Sequence, residues 1–214
     1  AAFAATLIVG TGSSIAGGAG AYFYTYVLGD MKLMSGVSVI GLIASLVGIV
    51  MGPYLANRFG KKKVYLTAVI ISTALNLLRL LDVTSMILIY ISALIGGVAG
   101  GWMVPVNTSI QADNTTYVQY KTGKRAEAAI ASLTSFVSKV AQGLGGAIPG
   151  YVIAAYGFVT GASVQPESIN TGIILCALIL PLIFGILGLL IFGTQYTLDQ
   201  KAVIEMDAKI NRNN

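Results

Sequence analysis

Residues 168–198 read SINTGIILCALILPLIFGILGLLIFGTQYTL, a run without one charged side chain. A helix needs about 20 apolar residues to cross roughly 30 Å of bilayer hydrocarbon, so this stretch is long enough to span a membrane. Moving outward, comparable runs cover 1–29, 33–57 and 83–112, and a further one over 128–166 is broken only by Lys139. The run over 64–78 is shorter; it reaches a usable length if Arg79 extends its head to the interface and leaves Leu80 and Leu81 immersed. Six spans follow. The composition agrees: of 214 residues, 56% are hydrophobic and only 10% charged, where a globular protein carries about a quarter as charges. Mean hydropathy is +0.81. The expected fold class is all-α, a polytopic membrane protein with a six-helix bundle over 1–192 and a cytoplasmic tail over 193–214.

Positive residues stay on the cytoplasmic side, which orients the spans. Arg58 and Lys61–Lys63 follow the second span, Lys121, Lys124 and Arg125 follow the fourth, and Lys201, Lys209 and Arg212 lie in the tail. Lys32 and Arg79 fall on the other side. Both termini are therefore expected in the cytoplasm. In the tail, Thr197 and Gln200 have capping-box spacing, and Leu198, Ala202, Met206 and Ile210 form one stripe, predicting a short amphipathic helix. It could lie on the membrane or pack on the protein. The chain opens on Ala1, with neither Met nor a basic leader, and a cut or processed end is expected there.

The net charge of +5 does not indicate nucleic-acid binding, because the basic residues sit in short clusters between apolar runs. His is absent and Cys176 is the one cysteine, which removes imidazole chemistry, His or Cys metal sites and disulfides. Cys176, inside an apolar run, reads as a small buried hydrophobe. Glycines at small-xxx-small spacing, Gly48 and Gly52, then Gly96, Gly97, Gly100 and Gly101, predict close helix contacts. Pro53, Pro105, Pro149 and Pro181 predict kinks.

Lys139 stands about 11 residues past Ala128, on the order of 15 Å into the membrane at 1.5 Å per residue. A charge there requires a partner or a watery cavity. Ser132, Ser135, Ser138 and Gln142 recur around it at helical spacing, and Gly143, Gly146 and Pro149 continue the stripe. Such a stripe suits a cavity wall, and a solute pathway is favoured over a structural ion pair. Asp30, Asp82, Asp113, Glu127, Glu167, Asp199, Glu205 and Asp207 all read as helix-end, loop or tail acids. A midplane carboxylate must then come from outside this chain; lacking the usual Na⁺ or H⁺ site of a coupled transporter, the chain either works by another principle or is half of a protein. Trp102 could stack on a sugar face or serve at a helix interface. Tyr22, Tyr24 and Tyr26 read as interfacial belt residues and Asn76 as an interhelical hydrogen-bonding group.

Two stretches carry a resemblance. Gly52-Pro-Tyr-Leu-Ala-Asn-Arg-Phe-Gly-Lys-Lys-Lys63 resembles the loop motif of the major facilitator superfamily, Gly-x-x-x-Asp-Arg-x-Gly-Arg-Arg, with Asn57 in the Asp slot and Gly52 one residue early. Gln111-Ala-Asp-Asn-Thr-Thr-Tyr-Val-Gln-Tyr-Lys-Thr-Gly-Lys-Arg125, then Ala126-Glu127 and Phe136-Val-Ser-Lys139, is similar to the corresponding loop and helix of the glycoside-pentoside-hexuronide:cation symporters. The pattern covers about residues 100 to 160.

The resemblance implies a twelve-helix symporter of two six-helix halves, with this chain as the C-terminal half and its spans arranged as two inverted three-helix repeats. It implies sugar contact by Lys139, Thr134, Ser135 and Ser138, with Gln142 and Trp102 beside them; the family's sugar-facing aromatic itself falls at Val104. It further implies a cytoplasmic gate at Asp113 and Arg125, joined by Arg58 and Lys121 of the basic loops. Thr116 and Gln119 stand where members often carry acids. The expected partners are an N-terminal six-helix half, the lipid bilayer of the plasma (inner) membrane and a small sugar. No cofactor or metal is expected in this half, and the coupling Na⁺ or H⁺ belongs to the other. An antiporter of the same superfamily and a non-transporting sugar sensor are the competing readings, and a membrane enzyme is the weakest, since no activated nucleophile pair is visible.

Overall fold

The computed structural model describes residues 2–162, 164–198 and 200–212, without the side chains of Gln200, Lys201, Asn211 and Arg212. The Ala1 end, Asp199, the Gln200 member of the capping box and the tail cations Lys201 and Arg212 thus lie outside the described residues. Six long helices follow one another: α1 Ala2–Val27, α2 Lys32–Phe59, α3 Lys61–Leu81, α4 Met86–Thr122, α5 Glu127–Ala155 and α6 Ser168–Gln195. A seventh, α7 Gln200–Arg212, forms the tail. No strand occurs among the described residues. All but α5 and the tail are both long and apolar enough to cross a bilayer. α5 has the length, 29 residues, but Ser132, Ser135, Ser138, Lys139 and Gln142 lower its apolarity.

The packing follows from glycine. α2 and α4 run in the same direction and make the most extensive contact, followed by α1 with α5. A Cβ on Gly101 would strike the Ser45 carbonyl, and one on Gly97 would come within 2.7 Å of the Gly41 carbonyl. At the second crossing Gly145 meets Ser14 in the same way. The next contacts are α1 with α6 and α3 with α4. Exchanging α1–α3 for α4–α6 maps each of these pairs onto the other, as two inverted three-helix repeats require. α2 turns Val39, Leu42, Ile43, Leu46, Val47 and Val50 outward as an apolar face.

Two helices hold a π-helical turn, Phe23–Val27 at the end of α1 and Leu175–Ile179 in α6. The second precedes Pro181, whose ring cannot supply the backbone N–H that the preceding turn would use, and the widened turn absorbs the mismatch. Cys176 within it is fully buried, as its apolar surroundings predict.

The largest departure from the sequence reading concerns α4. The apolar run ends at Ala112, yet the helix continues to Thr122 because no breaker intervenes, and Gly123 at φ 70° closes it. Asp113, read from sequence as a loop acid, is therefore a buried helical residue. The tail helix packs on this extension, with Lys209 Nζ 5.7 Å from the centre of the Tyr120 ring. That resolves the alternatives left open for the amphipathic stripe in favour of contact with the protein.

Replacing Gly101 by Ala should destabilise the bundle by about 1–3 kcal/mol through overpacking, whereas Gly100→Ala, which meets nothing within 4 Å, should change little. The exposure of Cys176 to a thiol reagent during thermal unfolding reads the difference, and equal midpoints for the two variants would contradict the crossing geometry.

Candidate functional site

α5 has two unlike faces. Val137, Ala141, Gly145 and Pro149 are buried against α1, whereas Ser132, Ser135, Lys139, Gln142, Gly143 and Gly146 are exposed together. The spacing that packs one side of a helix necessarily collects the polar residues on the other. Lys139 takes part in no salt bridge among the described residues. Thr134 and Ser138 are half-buried at the edge of this face and line a cavity of about 110 Å³ with Thr6, Asn107, Gln111 and Asn114. The Thr134 hydroxyl donates to the Ile130 carbonyl at 2.9 Å, an intrahelical bond that leaves its lone pairs free. The structure thus brings together Lys139, Ser135, Thr134, Ser138 and Gln142. It adds Asn107 and Gln111, which lie near the end of the expected fourth span, and Asn114, whose helix register was hidden because the stretch after Ala112 was read as a loop.

Trp102 lies apart from this group. Its side chain packs against the buried cluster that includes Ala56, Val106 and Ile110, and Gly52 of α2 admits the Trp102 backbone. The indole N–H is buried and without an acceptor among the described residues.

At the end of the bundle carrying the basic loops, Lys61 donates to both oxygens of Asp113, at 2.6 and 2.8 Å. Asp113 is 5% exposed, so its charge depends on this partner. Lys62 donates to the Tyr196 carbonyl at 2.6 Å, tying the start of α3 to the end of α6. The Tyr196 ring stacks on Phe192, and Phe192 on Tyr65, with centroids 4.5 and 4.0 Å apart. Burial, and secondarily the Asp113 carboxylate, push the Tyr196 phenol above its ordinary pKa, and it stays neutral at physiological pH. Arg125 does not reach Asp113; it pairs with Glu127 at 2.7 Å, and both are exposed. Arg58 donates to the Tyr54 hydroxyl at 3.1 Å and lies over the Phe59 ring, while Lys121 is exposed in the last turn of α4. The fold therefore unites Asp113 with Lys61 and leaves Arg125, Arg58 and Lys121 on the surface. The run Lys61–Lys63 was the available signal for the first pair, but a buried acid was needed to single out Lys61.

A family model described as MFS/sugar transport protein matches residues 1–200. The chain is similar to the uncharacterized symporter YjmB of Bacillus subtilis, 32% identical over 191 residues, which is 87% of this chain and 41% of that protein. It is also similar to a glucuronide carrier protein homolog of Escherichia coli, at 31% over 204 residues, 91% of this chain and 44% of the other. To the isoprimeverose transporter of Lactiplantibacillus pentosus it is 28% identical over 154 residues, 70% of this chain and 31% of that one. The chain spans less than half the length of these relatives.

Removing Lys61 leaves the buried Asp113 charge without its partner, and Lys61→Ala should destabilise this end by about 3 kcal/mol. In a double-mutant cycle, Lys61→Ala with Asp113→Ala should cost less than the sum of the single changes. Additive thermal shifts would show that the pair is not coupled.

Proposed function

The chain belongs to the MFS/sugar transport protein family, and from that premise we propose that it is the C-terminal half of a sugar:cation symporter that works by alternating access. It is an integral membrane protein, and its relatives are sugar transporters and symporters. The observation that carries the finer reading is the exposed face of α5. A polar stripe centred on an unpaired lysine would be costly against lipid, so it suits a surface covered by a second six-helix half and a watery path between the two.

In this reading Lys139 donates to sugar hydroxyls or a sugar carboxylate when the site is filled. When the site is empty, it pairs with an acid of the other half. Ser135, Thr134, Ser138 and Gln142 supply the hydroxyl and amide groups that exchange hydrogen bonds with a sugar. The coupling Na⁺ or H⁺ binds carboxylates of the N-terminal half, and this half holds neither cofactor nor metal and catalyses no reaction.

The basic end faces the cytoplasm, as do both termini, and the protein resides in the plasma (inner) membrane. Lys61–Asp113 keeps that end of this half closed on itself. Arg125, Arg58 and Lys121, exposed around the pair, meet acids of the other half when the cytoplasmic side shuts. Transport then consists of the two halves rocking about a midplane site.

Uptake of radiolabelled glycosides and hexuronates into vesicles, with an imposed Na⁺ or proton gradient, tests the proposal. Both halves together should accumulate sugar, and Lys139→Ala should lower the initial rate at least tenfold while Lys139→Arg retains part of it. Unchanged uptake in Lys139→Ala would remove Lys139 from the site, and binding without accumulation would point to a sensor.

A further inference from the structure

The α5 face is not the only place where this half presents a cation without a counter-ion. Tyr65, Val69, Ser72, Asn76 and Arg79 follow one another at three- and four-residue intervals on α3, and this stripe faces into the bundle. Ser72 and Asn76 line two adjoining spaces. One, of about 460 Å³, lies between α1, α3, α4 and α6 and also takes Thr6, Ser13, Thr73 and Asn107. The other, an open cleft of about 230 Å³ towards the end opposite Lys61, is bounded by Tyr24, Arg79 and Ser92. A string of polar side chains on α3 therefore runs beside these two spaces and ends at Arg79.

Phe23 covers one face of the Arg79 guanidinium, whose central carbon is 5.1 Å from the ring centre. The guanidinium Nε is buried and has no acceptor among the described residues. Asp30, Asp82 and Glu167 are the acids of this end, and none forms an ion pair with Arg79. Asp82 accepts from the Thr84 N–H and hydroxyl at 3.1 and 3.0 Å, and Asp30 accepts from the Lys32 N–H at 2.8 Å. A guanidinium in the last turn of α3, stacked on an aromatic ring and without a carboxylate partner among the described residues, is free to take an anion. Its planar edge matches two oxygens of a carboxylate or sulfonate, and Tyr24, Ser92 and Asn76 bring further donors to the same cleft. The cleft admits such a group, and the adjoining space brings the combined volume into the usual range of ligand sites.

We propose that Arg79 is the centre of an oxyanion site, which receives a carboxylate or sulfonate group borne by the transported solute and so selects sugar acids over neutral sugars. This rests on the transport reading above and names the solute's charge.

Two measurements on the intact carrier separate the ideas. First, Arg79→Gln should raise the ratio of KM for D-glucuronate to KM for methyl-α-D-glucoside at least tenfold, with Arg79→Lys recovering part of the difference. An unchanged ratio would overturn the site, including the case in which both KM values worsen equally because Arg79 only holds α3 against Phe23. Second, phenylglyoxal labelling of Arg79, read by mass spectrometry, should slow at least threefold in acetate or methanesulfonate and not in glycerol. This arm needs no transport. Protection without any sugar uptake would sustain the anion site and sink the sugar reading, whereas uptake with no protection would do the reverse.

Discussion

The α2 and α4 backbones touch, and much of the half-bundle follows from that. Gly97 and Gly101 let the carbonyls of Gly41 and Ser45 approach to distances that any side chain would forbid, and Gly145 does the same for α1 and α5. Because the two close crossings join a helix of one repeat to a helix of the other, they fix how the repeats interlock. Between α1, α3, α4 and α6 they leave a mostly apolar cavity into which Thr6, Ser13 and Asn107 bring polar groups. Without directional help from a hydrophobic effect inside lipid, such van der Waals contacts carry the association.

Polar residues in this chain are sorted by what covers them. On α3 they face neighbouring helices and form a string, while on α5 they face away from the bundle. At the basic end the charges are tied down singly: Lys61 to Asp113, Lys62 to the Tyr196 carbonyl. The contrast between these anchored lysines and the unpaired Lys139 and Arg79 separates charges that hold the fold from charges that await something else.

Much of this was legible in the sequence, because span length and glycine spacing are direct consequences of bilayer thickness and helix geometry. The polar face of α5 was equally readable, since Ser135, Lys139 and Gln142 recur at helical spacing. The extent of α4 was not. Residues 113–122 are polar, and hydropathy reports where lipid ends rather than where a helix ends; only Gly123 marked the true stop. Asp113 was misplaced with it, and its pairing with Lys61 joins positions 52 residues apart, which no local pattern can announce. For Trp102 the sequence left a sugar face and a helix interface open, and its packing at the interface is settled only by the tertiary crossing of α2 and α4.

The length of α4 has a mechanical side. Between Gly101, where the helix is pinned against α2, and Tyr120, where the tail rests on it, lie about 28 Å of unbroken helix at 1.5 Å per residue. A tilt of about 10° at the crossing would swing the far end by about 5 Å, roughly the height of one helical turn. α4 thus joins the α2 crossing to the tail helix as one continuous rod, and because Lys61 holds Asp113 between them, a displacement of the tail meets that ion pair before it reaches the crossing.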